Sequence, residues 1–354
     1  MNGEIAIGCV EKASGKSPPF PPASRVMERD DKVMRAIPTL VVAALVAIIS
    51  IFIALLFGSV SLTPAQVAQT VFTTAPSIEH DIIWQLRAPR ALSAFACGGL
   101  LALAGVLLQA LLRNALADSY ILGVSGGASL GALGAITLGF GVAMANAAAL
   151  AGAIAAIAIV FGVTFRGGQW NIYRLLLSGV VLSAGFAALS SLILVIAPSA
   201  QVKGMLFWLM GDLSYADNPL GATGLLLLLT LGAMVLAVRL DILGLGDAKA
   251  RSLGVNVVPL QLMVFFGAAL ATVAAVMLGG AIGFVGLMMP HAVRLLGVVR
   301  HRLLLPVAVL AGGSFLTLAD TCARALWAPQ QLPVGIFTAL IGVPSMLYLL
   351  TRRP

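Results

Sequence analysis

Spanning a hydrocarbon core as a helix takes roughly 20 apolar residues. This chain offers ten such stretches, near 38–58, 88–112, 118–139, 145–165, 171–197, 219–239, 259–279, 282–298, 303–323 and 332–351. Without water to satisfy backbone polar groups, each stretch must close its own hydrogen bonds as a helix. The expected fold is an all-α polytopic membrane protein with about ten transmembrane helices. Composition agrees, since only 10% of residues are charged, where a soluble globule carries roughly a quarter. An even number of crossings returns both termini to one side. With the N-terminus inside, seventeen of the 21 lysines and arginines face inward and four, Arg87, Arg90, Lys203 and Arg324, face out. Cytoplasmic loops carry that excess in membrane proteins, so both termini are expected in the cytoplasm. The net charge of +8 then reflects membrane topology and argues for no nucleic-acid partner.

Residues 1–37 read as a cytoplasmic tail and 38–354 as the transmembrane domain. The tail has no apolar core or small-residue cleavage site that would make it a signal peptide. Its Gly15-Lys16-Ser17 resembles the end of a phosphate-binding loop, but Val10 stands where the earlier glycine is required and Pro18-Pro19 block the following helix. The chain therefore carries no nucleotide motif of its own. Cys9, Cys97 and Cys322 lack metal-ligand spacing, and His80, His291 and His301 lie far apart. No bound metal, cofactor or disulfide is expected.

Several features interrupt the apolar pattern. Gly283 to Arg294 places Pro290, His291 and Arg294 in a lipid-compatible segment, an expense that implies a use. With Pro290 at a helix bend, His291 is expected to satisfy freed backbone groups. Gly123, Gly127 and Gly131 repeat every four residues, the spacing that lets helix backbones approach closely, within one chain or across a dimer. Residues 199–218, with Met205, Trp208 and Met210, read as a short helix at the outer mouth. Residues 241–258 read as a charged, small-residue cytoplasmic segment with Ala250, Leu253 and Val257 at helical spacing.

Ordered motifs along residues 60–354 resemble the FecCD-type permeases, the membrane subunits of type II ABC importers for iron-siderophores, haem and cobalamin. They include Arg87-Ala-Pro-Arg90, Arg113-Asn114 to Asp118, Leu122-Gly123-Val-Ser125-Gly-Gly127, Trp208-Leu-Met-Gly211, Leu245-Gly246-Asp247 with Leu253-Gly254, Gly283 to Arg294, Ala319-Asp320 with Arg324, and Leu332-Pro333-Val-Gly335. The chain departs from the family pattern at Ala115 and Ser119, which replace two prolines of a cytoplasmic turn, and at Asp212 and Gln331 near the outer mouth.

The resemblance implies a homodimer of ten-helix subunits in the bacterial inner membrane. It also implies two ABC ATPase subunits, which bind the ATP and Mg, and a periplasmic substrate-binding protein. The cargo is expected to be an iron chelate, siderophore or haem, with cobalamin second. Arg87, Arg90 and Arg324 would meet acidic residues of the binding protein. Gly246, Asp247, Ala250, Arg251, Leu253 and Gly254 would form the coupling helix, with Asp247 and Arg251 able to pair at i,i+4. Asn114 and Leu116 would face Asn171, Ile172 and Tyr173 at the cytoplasmic gate, with helix capping as the competing reading of the asparagines. Met205, Trp208 and Met210 would line the substrate path at the outer mouth, where an aromatic interface belt explains Trp208 almost as well. For Arg324 the competing reading is an i,i+4 pair with Asp320.

Two other function classes fit less of the chain. Gly123-Val-Ser125-Gly126 matches the GxSG of rhomboid intramembrane proteases, with His291 the one candidate partner inside a span. An ion-coupled secondary transporter would want a carboxylate near mid-membrane, whereas Asp118, Asp241 and Asp320 fall near expected span ends.

Overall fold

The computed structural model describes residues 36–58, 62–72, 77–166, 169–214, 216, 219–328 and 330–351. The tail up to residue 35 lies outside them. Helices α1 (Ala36–Leu56), α2 (Pro64–Phe72), α3 (Ile78–Leu112), α4 (Val124–Thr137), α5 (Val142–Thr164), α6 (Ile172–Ile196) and α7 (Ser199–Met210) form the first part. The second comprises α8 (Pro219–Leu243), α9 (Asp247–Ser252), α10 (Val257–Gly279), α11 (Val285–Leu295), α12 (His301–Ala325) and α13 (Val334–Thr351). A two-residue pairing of Phe165–Arg166 (β1) with Gln169–Trp170 (β2) joins α5 to α6.

Each of the ten expected stretches carries a helix. Among the described residues seven helices are long and apolar enough to cross a membrane: α1, α3, α5, α6, α8, α10 and α12. The segments that became α4, α11 and α13 are shorter, because Gly123 ends a 3-10 turn before α4 and a sharp bend at Gly280 to Phe284 delays α11. The two short helices expected between the spans both form, as α7 and α9. Helix α2 was not expected, although Thr63-Pro64-Ala-Gln66 is a capping box: the Thr63 amide donates to Gln66 Oε1 at 2.9 Å and the Gln66 amide to Thr63 Oγ1 at 3.3 Å.

Helix α3 is the mast of the bundle: 89% of its most apolar stretch is buried, against 11% for α6. It packs on α12, α10, α8, α11 and α1. The exposed α6 therefore faces lipid, a second protomer or a path rather than its own core. Backbones meet where glycines coincide, Gly98 against Gly312 and Gly105 against Gly286, because a Cβ at either α3 position would overlap the facing carbonyl. Gly127 and Gly131 serve the same purpose inside the chain, lying on Gly152 and Ala148 of α5, so the glycine repeat is intramolecular packing.

Candidate functional sites at the two ends of the bundle

Helix α3 begins ten residues before the expected span, capped by Ser77 and carrying a π-type turn over Ile82–Arg87. That extension brings Arg87 into helix, and both Arg87 and Arg90 lie against the protein. Arg87 is buried, and its Nη1 donates to Leu55 O at 2.6 Å and Leu56 O at 2.9 Å. These are carbonyls at the C-terminal end of α1, which lack intrahelical donors and favour a cation. Arg90 grips Asp320, with Nε at 3.2 and 3.1 Å from the two oxygens and Nη2 at 2.8 Å. Its Nη1 donates to Gln331 Oε1 at 2.9 Å and Ser214 Oγ at 3.2 Å. Arg324 Nε lies 3.0 Å from Asp320 Oδ2, the i,i+4 pair that competed with docking in the sequence.

The three arginines expected at the rim line one cavity of about 490 Å³, but they differ in exposure. Arg87 and Arg324 turn inward, because α3 starts early enough for one and Asp320 sits one turn behind the other. Arg90, whose side chain is 13% exposed, keeps a solvent edge. The residues that break the family pattern join this cluster: Gln331 accepts from Arg90, and Asp212 accepts from the Ser214 amide and hydroxyl.

Of the residues expected to line the outer mouth, Met205 is fully buried. Helix α7 rolls this residue inward while Trp208 and Met210 stay half-buried. Trp208 lines a cavity of about 760 Å³ together with Lys203, Phe207, Asp212 and Gln331. The Met210 carbonyl packs against Gly335.

At the opposite end, α9 stands between α8 and α10. Gly246 and Gly254 bound it with φ of 101° and 80°, conformations that favour glycine. Ala250 is fully buried and seats the helix, whereas Leu253 is exposed. Asp247 does not pair with Arg251, which joins no ion pair among the described residues. Arg113 Nη2 donates to Asp247 Oδ1 at 3.0 Å, and Gln261 Nε2 lies 3.5 Å from both carboxylate oxygens. Arg113 is also the left-handed residue that ends α3, so α9 is tied to the end of the mast.

The candidate gate residues have local work. Asn114 Oδ1 accepts from the Leu116 amide at 2.9 Å, an Asx turn that closes the loop without the two missing prolines. Asn171 caps α6 by accepting from the Arg174 amide at 3.1 Å. Leu116 and Tyr173 are exposed and Ile172 half-buried.

One polar residue had been given no role from the sequence. Gln109 is buried, and its Nε2 lies 3.3 to 3.4 Å from the carbonyls of Ala117, Gly286 and Leu287, while Arg294 Nη1 donates to its Oε1. Pro290 has no N–H for the carbonyl four residues back, which is Gly286, so the Gln109 amide replaces the lost donor. This compensation was expected from His291, whose Nδ1 is buried without a hydrogen-bond partner among the described residues. Likewise Asp241, at the end of α8, accepts from the His301 amide at 3.1 Å and sits 2.6 Å from His301 Nδ1, capping α12. Among the described residues no three of His, Cys, Asp or Glu gather into a group able to hold a metal ion.

A family model, the FecCD transport family, matches residues 45–352. The chain belongs to the FecCD transport family. It is 40% identical over 282 residues to a cobalamin import system permease of Halobacterium salinarum, covering 78% of this chain and 75% of that one. It is 34% identical over 308 residues to a molybdate import system permease of Haemophilus influenzae, covering 85% and 91%. A hemin transport system permease of Yersinia pestis is 36% identical over 294 residues, covering 80% and 88%. Among solved structures, a metal-chelate type ABC transporter in an inward-facing conformation superposes with a TM-score of 0.78 at 32% identity, covering 90% of this chain and all of that one. The chain is an ABC importer permease, a multi-helix transport subunit.

Proposed function

We propose that this permease carries a bulky metal chelate from periplasm to cytoplasm across a bacterial inner membrane, as a homodimer with two ABC ATPases and a periplasmic binding protein. An iron chelate is the first reading. Cobalamin is the second, favoured by the relative named for its import at 40% identity. The observation that carries the coupling role is α9, a short helix seated by Ala250 and bounded by two left-handed glycines, with Leu253 exposed for a partner groove. ATP-driven closure of the ATPases would push on α9, and Asp247–Arg113 would pass that displacement to the end of α3. At the outer mouth, docking of a binding-protein carboxylate falls to the exposed edge of Arg90, while Arg87 and Arg324 hold the scaffold under it. Leu116 and Tyr173 supply the exposed surface for a cytoplasmic gate.

Two results are expected. The purified chain alone hydrolyses no ATP, and activity appears only after addition of its ATPase; vanadate-sensitive turnover by the chain alone would sink the reading. In the assembled importer, Arg113→Asp should lower transport per ATP hydrolysed by about tenfold, and Arg113→Asp with Asp247→Arg should restore most of it. An exposed pair contributes little stability, roughly 0.2–1 kcal/mol, so expression should hardly change. Equal coupling in all three proteins would remove the pair from the transmission path.

A further inference from the structure

At the end of the bundle that holds Arg90, one face of α7 is turned away from the core. Ala200, Lys203, Gly204, Phe207 and Trp208 recur on it at helical spacing and form one wall of the cavity of about 760 Å³. Val142 and Asn146, at the start of α5, form another. Helix α5 is long and apolar enough to cross a membrane, and only 28% of its most apolar stretch is buried, so the cavity borders a helix largely open to lipid. Phe140 and Val142 are exposed and carry the apolar surface out of the cavity.

Two opposite charges line this cavity without meeting each other. Lys203 is the fourth cation on the side that membrane proteins disfavour. Arg87, Arg90 and Arg324 have partners in the protein, whereas Lys203 joins no ion pair or hydrogen bond among the described residues. The Asn146 amide is equally unused among them. Asp212 spends Oδ1 on the Ser214 amide and hydroxyl, at 3.0 and 2.7 Å, and leaves Oδ2 without a partner among the described residues. Both charges can be reached, since Lys203 is exposed and Asp212 half-buried. A lysine so placed lays its stem on apolar surface and keeps its ammonium at the polar boundary.

We propose that this cavity binds a bilayer lipid with a phosphoethanolamine headgroup. The lipid phosphate accepts from the Lys203 ammonium and the Asn146 amide, and the primary ammonium donates to Asp212 Oδ2 beside the Trp208 indole. The acyl chains leave over Phe140 and Val142 along α5. Separated charges of opposite sign on one partly apolar wall match a zwitterion. A phosphoglycerol headgroup has no ammonium for Asp212, and a quaternary choline has no N–H to donate to it. A soluble phosphate ester would leave the apolar wall wet. The Ser214 hydroxyl held by Asp212 also accepts from Arg90 Nη1 at 3.2 Å, so the headgroup joins the cluster that holds Arg90. The inference needs a bilayer and no particular cargo.

Native mass spectrometry of the purified permease tests this, after equilibration in detergent with phosphatidylethanolamine, phosphatidylcholine and phosphatidylglycerol of identical acyl chains in competition. A single phosphatidylethanolamine per protomer should be retained about tenfold over phosphatidylglycerol. Lys203→Glu should lower that retention by about tenfold, and Asp212→Asn should bring phosphatidylethanolamine down to the level of phosphatidylglycerol. Gly204→Leu should empty the site of every lipid, because a Cβ there meets nothing within 4 Å and the side chain would stand in the cavity. Lys203 and Gly204 are exposed, so their variants keep the test open if Asp212→Asn fails to fold.

Equal retention of the three lipids by the parental chain, or unchanged selectivity in Lys203→Glu and Gly204→Leu, would overturn the proposal. So would displacement of the lipid by glycerophosphoethanolamine at the same concentration, which would make the occupant a soluble headgroup compound. A Gly204→Leu chain that changes oligomeric state while keeping its lipid would also overturn it, by giving the cavity to a second copy.

Discussion

Asp320→Ala is expected to remove most of the folded permease from the membrane. The carboxylate is 1% exposed and sits between the Arg90 and Arg324 guanidiniums. Removing one partner of a buried ion pair leaves its counter-charges without compensation, a cost of about 3–5 kcal/mol. This loss is a large fraction of the roughly 5–15 kcal/mol that holds a typical domain together. Asp320→Asn keeps the shape and one acceptor and should lose less. Asp320→Ala combined with Arg324→Met, which removes one stranded charge, should recover part of the loss. Thermal unfolding in nanodiscs, followed by size-exclusion fluorescence, reads the order directly. An alanine variant with the parental midpoint would mean that the arginines find water and that the cluster is not a structural lock.

Gly105→Leu should have an effect of similar size for a steric reason. Helices α3 and α11 cross with Gly105 on Gly286, where a new Cβ would overlap the opposite backbone carbonyl. Backbone cannot rotate away as a side chain can. Overpacking costs typically about 1–3 kcal/mol and occasionally more, and a clash with main chain belongs at or above the upper end. The displacement would also pull Gly286 from Gln109 and reopen the carbonyl freed by Pro290. Gly134→Leu is the control, since nothing lies within 4 Å of that position and its variant should accumulate normally. Equal accumulation of the two would show that α11 can slide without penalty.

Much of the molecule was legible from the chain alone, and for identifiable reasons. Hydropathy is a local property, so the positions of the ten apolar helices could be read directly, as could the short α7 and α9 between them. The motif order from Arg87 to Gly335 sufficed for the family. The roles of individual polar residues were less legible. Arg87, Arg90 and Arg324 were expected to face a partner because the cation tally put each on the disfavoured side of the membrane. The structure instead spends Arg87 on the exposed carbonyls of α1 and Arg324 on Asp320, a helical turn away. Asp247 had a plausible partner four residues on, but took Arg113, 134 residues distant in sequence. His291 stood beside Pro290, yet the donor that relieves the proline is Gln109, 177 residues from Gly286.

The sequence by itself determined that the chain lives in a bilayer as helices, and which family it belongs to, because apolar length and motif order are properties of consecutive residues. It also carried the orientation argument, which needs only the tally of cations per loop. Only the tertiary structure decided which charges are scaffold and which remain available. Arg90 meets Asp320 across 230 residues, and no periodicity records that meeting. In a low-dielectric interior an unpaired polar group is costly and partners come from wherever the fold brings them, so these assignments follow packing rather than proximity along the chain.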